Sequence, residues 1–146
     1  MSDFRTLSDR VFASPQLTPA DVEAARVLDV GTIINNRPEG EAEDQTPGRD
    51  IEAAAHAAGM TYVAIPIIPG SFGESEVRAM AAALNQANGK VLAYCRTGTR
   101  STLLWALAEA SGGKPIDAIA SAASAAGYDV SPVLPMMADL AARAGA

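Results

Sequence analysis

The chain holds one cysteine, one histidine and one tryptophan, and aromatic residues make up only 5% of it. A single thiol excludes an intramolecular disulfide and any paired-thiol redox cycle within the chain. It suits a reducing compartment, so a cytoplasmic location is expected. Cys95 and His56 stand far apart in sequence and leave too few ligands for a structural zinc site, so neither a metal nor a cofactor is expected. Positive charge is also short: 11 Lys and Arg face 17 Asp and Glu, a formal net charge of -6. A field of that sign repels nucleic acid and anionic membrane, and neither is an expected partner. The expected partner is a small anionic or phosphorylated substrate, drawn in by a local positive site. No apolar run approaches the roughly 18 residues that span a bilayer. The opening MSDFRTLSDR lacks the apolar core of a signal peptide.

What is present is enough apolar material for a core: 49% of 146 residues. One α/β domain over residues 1–146 is expected. A short strand is predicted at 10–14. Thr18-Pro19 with Asp21 and Glu23 then reads as the start of a helix running to about Asp29. Residues 31–35 are a β-branched run that suits a buried strand. Residues 36–48 are rich in Pro, Gly, Glu and Asp, and read as a long loop in which Glu39, Glu41, Glu43 and Asp44 form a solvated acidic face. Helices are predicted at 49–58, 74–87, 101–110, 116–126 and 134–144, and strands at 62–65 and 90–94. His56 falls on the first of those helices and reads as a surface or half-buried helix histidine rather than a catalytic base. The run Lys90-Val91-Leu92-Ala93-Tyr94 is apolar without alternation, the pattern of a parallel strand covered on both faces. Strands separated by helices make βαβ units, hence a mostly parallel central sheet with helices on both faces.

The segment with chemistry is Cys95-Arg96-Thr97-Gly98-Thr99-Arg100-Ser101. It joins a buried strand to a buried helix, at the carboxyl end of a parallel strand, where α/β sheets bind ligands. A short loop with a central glycine turns successive N–H groups inward, and the helix N-terminus adds its positive end, so residues 96–99 read as an anion cradle. A cysteine at its start is favoured as thiolate, with Arg96 and Arg100 near. Arg100 offers a planar fork that holds a tetrahedral oxyanion through two hydrogen bonds. Ser101 is placed to donate a hydrogen bond to sulfur when it leaves. Because the cradle must admit ligand, Cys95 is expected to be exposed. Asn36 and Arg37 follow another strand end and are candidates either for the wall of the same pocket or for stabilising the loop.

This loop resembles those of two thiolate families. Dual-specificity phosphatases carry His, Cys, five residues, Arg and then Ser or Thr; rhodanese-like sulfurtransferases have four residues between cysteine and a basic residue, as here. Ser14-Pro15-Gln16-Leu17, Ile33-Ile34-Asn35-Asn36-Arg37-Pro38, Ile65-Pro66 and Ala93 to Ser101 occur in this order in a bacterial family. By these motifs the chain, to about Tyr128, resembles the phosphatase-like domain of beta-lactamase hydrolase-like proteins, a family also described as sulfur transferases. The resemblance implies a dual-specificity-phosphatase-like fold that acts through cysteine. Two departures stand out. Tyr94 takes the place of the phosphatase histidine, and residues 66–76 contain no aspartate to protonate a leaving oxygen. Glu74 and Glu76 read as first-turn helix acids.

The expected function is hydrolysis of phosphate monoesters through a thiophosphoryl intermediate on Cys95, with Arg100 and the loop amides on the phosphoryl oxygens. The alternatives are a sulfurtransferase carrying a persulfide on Cys95, and a module that binds an anion without turnover.

Overall fold

The computed structural model describes residues 2–145. Five strands form one sheet: β1 (Arg5–Thr6), β2 (Val11–Ser14), β3 (Val30–Asn35), β4 (Thr61–Ala64) and β5 (Lys90–Tyr94), in the order β1-β2-β5-β3-β4. β5 lies in the middle and pairs parallel with both β2 and β3; only β1, at the edge, runs antiparallel. β1 has two residues, too few for an alternation to show in the sequence, and it was not among the predicted strands.

The register places the site. Ser14 and Asn35 both stand opposite Tyr94, and Ala64 stands opposite Asn35. Four parallel strands therefore end level, and the segments that leave them emerge on one edge of the sheet.

Helices α1 (Pro19–Val27) and α2 (Gly48–Ala57) cover one face; α3 (Glu74–Gln86), α4 (Thr99–Ser111), α5 (Ile116–Ala125) and α6 (Leu134–Ala144) build the other. α1 starts where its sequence signals lie. Thr18 accepts from the Asp21 amide, and Asp21 returns the bond to the Thr18 amide at 2.8 Å, a reciprocal cap with Pro19 next in line. It ends two residues before the predicted Asp29, because Asp29 takes a left-handed backbone, φ 66°. α4 is apolar nearly all round and is buried accordingly from Ser101 to Ala108, between the sheet and α3, α5 and α6. It begins at Thr99, two residues ahead of the predicted start, so Arg100 belongs to its first turn. Among the described residues, no helix is long and apolar enough to cross a membrane.

Candidate active site

Gly98 shapes the loop between β5 and α4. It is the N-cap of α4 with φ 92°, a conformation that L side chains rarely adopt. A Cβ there would lie 2.1 Å from the Tyr128 hydroxyl oxygen, so only glycine meets both the backbone and the space. Its N–H donates to Cys95 Sγ at 3.1 Å, and its carbonyl accepts from both the amide and the hydroxyl of Thr102, at 3.0 and 2.8 Å. The Tyr128 hydroxyl donates to the Thr97 carbonyl at 3.1 Å and pins the loop from the α5 side. The Arg96 carbonyl accepts from the Gln16 amide at 3.2 Å and pins it from the β2 side.

The loop thus curls around sulfur. Among the described residues, the N–H groups of Arg96 and Thr97 have no hydrogen-bond partner, and the first N–H groups of α4 have no acceptor within their helix. These are the donors an anion would meet, at the positive end of a 13-residue helix. Contrary to the sequence expectation, Cys95 is fully buried, 0% exposed. The loop wraps the thiol and shields it from solvent. Arg96, Thr97 and Thr99 are exposed, with Thr97 Oγ1 donating to Thr99 Oγ1 at 3.0 Å.

Ser101 does not serve sulfur in this arrangement. Its hydroxyl proton goes to Asn36 Oδ1 at 2.8 Å, and both residues are fully buried. Asn36 in turn donates through Nδ2 to the Ile65 carbonyl at 2.9 Å and through its own N–H to the Tyr94 carbonyl at 2.8 Å. It is a hub that ties three chain segments under the loop, rather than a pocket wall. Arg37 is 5% exposed; its Nε donates to Glu41 Oε1 at 2.9 Å and its Nη1 to Gln16 Oε1 at 3.0 Å. Tyr94 points into the α1/α2 core, where burial pushes its hydroxyl up and keeps it neutral.

Arg100 has an 11% exposed side chain. Nη1 donates to Glu41 Oε2 at 2.8 Å and to the Ile67 carbonyl at 2.9 Å, and Nη2 donates to Glu41 Oε1 at 2.9 Å. The Glu41 contact, and beyond it the nearby Cys95, hold the guanidinium more firmly charged. Glu41, read from sequence as a solvated acid, is therefore shared by two arginines. Its carboxyl is pushed down to about 2, chiefly by its hydrogen bonds to Arg100. The acidic composition of residues 39–45 concealed this. The available signal was an acid four residues after Arg37, in a segment that leaves the same sheet edge as Cys95.

Beside Arg100 a cleft of about 370 Å³ opens, walled by Pro69, Phe72, Leu103 and Val133, with Thr99 and Arg100 at its polar end. Next to it in the chain, Ile68 is 68% exposed and Leu134 37%. The carboxylates on the flanking segments already have partners. Arg143, at 2.7 Å, holds Glu74 below the usual carboxylate range, and hydrogen bonds from Ser131 do the same for Asp129. Glu76 accepts from the Gly73 amide at 3.1 Å and caps α3. None of them lines the cleft beside Arg100.

The comparisons identify the family and the fold. Residues 3–112 match the family described as "Beta-lactamase hydrolase-like protein, phosphatase-like domain"; the match ends before α5, short of the expected Tyr128. The beta-lactamase hydrolase-like protein of Xylella fastidiosa (strain Temecula1) is 40% identical over 101 residues, 68% of this chain and 23% of that protein. The chain thus spans about a quarter of the length of the curated relatives it matches. A candidate phosphatase from Neisseria meningitidis Z2491 has a crystal structure that superposes with a TM-score of 0.82 at 36% identity, covering 93% of this chain and 96% of that one. Another from Shewanella putrefaciens CN-32 gives a TM-score of 0.75 at 20% identity, covering 99% and 94%. The fold is that of the dual-specificity-phosphatase-like α/β proteins.

Proposed function

The chain belongs to the phosphatase-like domain family of beta-lactamase hydrolase-like proteins, and from that premise we propose that it hydrolyses phosphate monoesters through Cys95. The observation that carries this reading is a buried Sγ accepting from the Gly98 amide at 3.1 Å, inside a curl of unpartnered N–H groups and beside Arg100. In this reading the Cys95 thiolate attacks phosphorus, an S–P bond forms, and the P–O bond to the leaving group breaks with its electron pair on oxygen. The loop amides and Arg100 take the charge of the three equatorial oxygens. Water then attacks phosphorus, phosphate departs, and the S–P bond electrons return to sulfur.

The absence of a committed proton donor selects the substrate. A positioned general acid supplies about 10²–10⁴-fold where a poor leaving group departs. Without one, aryl phosphates turn over and alkyl phosphates lag by about that factor, and the apolar cleft beside Arg100 suits an aryl group. The test is hydrolysis of an aryl phosphate by the wild type and by Cys95→Ser. Equal rates in the two proteins would refute the reading.

One observation favours a second reading. Four residues, not five, separate Cys95 from Arg100, which makes a smaller ring of donors, closer to what a persulfide needs. In that case the thiolate takes the outer sulfur of thiosulfate and sulfite leaves with the S–S bond electrons. Mass spectrometry after thiosulfate treatment would find one added sulfur on Cys95.

A further inference from the structure

A guanidinium has five N–H donors arranged along two usable edges. In Arg100, both protons of Nη1 are taken, one by Glu41 Oε2 and one by the Ile67 carbonyl, and one proton of Nη2 is taken by Glu41 Oε1. The Nη1/Nη2 edge is therefore closed. What remains is Nε–H and the second proton of Nη2, which together form the other edge.

We propose that Glu41 is a positioning residue: by locking the Nη1/Nη2 edge of Arg100, it aims the Nε/Nη2 edge at the equatorial oxygens of the phosphoryl group undergoing transfer. The proposal rests on the phosphohydrolase reading and adds to it the residue that sets the geometry of the fork. Three features deliver Glu41 to this task. Its backbone N–H donates to Gln45 Oε1 at 2.8 Å, and Gln45 Nε2 donates to the Pro38 carbonyl at 2.9 Å, so the acidic loop is folded around the acid. Arg37, 5% exposed, donates to the same Oε1 that Arg100 uses and is itself held by Gln16. The Ile67 carbonyl takes the second Nη1 proton, an extra restraint on the guanidinium beside the carboxylate.

Charge accounting gives the arrangement a distinctive signature. Two arginines share one carboxylate, so the pocket keeps a net positive charge with Glu41 in place. Neutralising Glu41 adds positive charge, which helps any anion bind, but it frees the fork, which harms only a ligand that needs aligned equatorial oxygens. Orthophosphate is a tetrahedron that many orientations of an arginine can serve. Vanadate bound to a thiolate takes the five-coordinate shape of phosphorus in transfer, and so reads alignment.

The experiment follows protection of Cys95 from iodoacetamide by inorganic phosphate and, separately, by vanadate, in the wild type, Glu41→Gln and Glu41→Asp, with circular dichroism as the check of folding. In Glu41→Gln, vanadate protection weakens about tenfold, the worth of one charged hydrogen-bonded edge. Phosphate protection moves by less than about threefold, because the charge gained offsets the alignment lost. Glu41→Asp keeps the charge at a shorter reach and falls between the two. Phosphate weakening as much as vanadate, vanadate unchanged, or no protection of the wild type by either anion overturns the proposal. Protection needs no turnover, so a wild type that protects as described but shows no Cys95-dependent hydrolysis refutes the phosphohydrolase reading alone.

Discussion

The two sides of the Cys95 loop are built differently. On the Cys95 side the parts are tied to one another: Cys95 to Gly98, Gly98 to Thr102, Ser101 to Asn36, Thr97 to Tyr128, and Arg100 to Glu41 and Ile67. On the opposite side, residues 66–73 offer proline, glycine, apolar side chains and one serine but no carboxylate, with Ile68 68% exposed, and the carboxylates that follow are engaged by Arg143 and by the α3 cap. In the proposed reaction, a site built this way attacks and holds phosphorus but gives no proton to what departs. The difference teaches that, in this reading, substrate choice lies in the leaving group.

The most severe way to break the comparison is to remove the nucleophile. Cys95→Ser leaves the buried packing nearly unchanged, yet turnover of an aryl phosphate should fall by at least about a thousandfold. Arg100→Lys keeps the charge and loses the fork, so phosphate protection of Cys95 should weaken about tenfold or more. Gly98→Ala meets a positive φ and a contact with Tyr128 at 2.1 Å, and it should destabilise the fold by roughly 1–3 kcal/mol from the backbone alone. Adding Tyr128→Phe removes the closer atom, so in chemical denaturation the double variant should lose less than the sum of the singles.

Smaller effects sharpen the contrast. Glu41 has its carboxyl depressed from 4.5 to about 2 in the folded protein. A depressed carboxylate stabilises the fold fully above its unfolded value, and that contribution fades as pH falls from there through the folded value. Stability should therefore drop between about pH 4.5 and 2, and Glu41→Gln should flatten this stretch of the curve. Glu74→Gln should cost less than about 1 kcal/mol, as an exposed ion pair does, and should leave the turnover of aryl phosphates unchanged. A large loss of activity would mark Glu74 as the proton donor.

Much of this was legible in the sequence because the signals were local. Thr18-Pro19 marked a helix start, the unbroken apolar run at 90–94 marked the central strand, and Cys95 to Ser101 marked the loop. What escaped was tertiary. Nothing near Glu41 in the chain shows that residues 36–48 fold back over α4, because the partner lies 59 positions away. Adjacency points Ser101 at sulfur and leaves Asn36 open between a pocket wall and a loop brace; the fold joins the two to each other, since each needs a buried partner. Tyr128 lies beyond the motif, and only the packing of α5 against α4 brings it to Gly98. The burial of Cys95 was missed for the same reason: how tightly a loop closes is set by what pins it from outside.

The measurement that tests the account most directly is the dependence of Cys95-dependent kcat/KM on leaving-group acidity, across a series of aryl and alkyl phosphates. A site without a proton donor predicts a steep fall as the leaving group becomes more basic, with alkyl esters slower by about 10²–10⁴-fold than phenyl esters. A flat dependence, with alkyl and aryl phosphates turned over alike, would contradict it and require a proton donor on the side of residues 66–73.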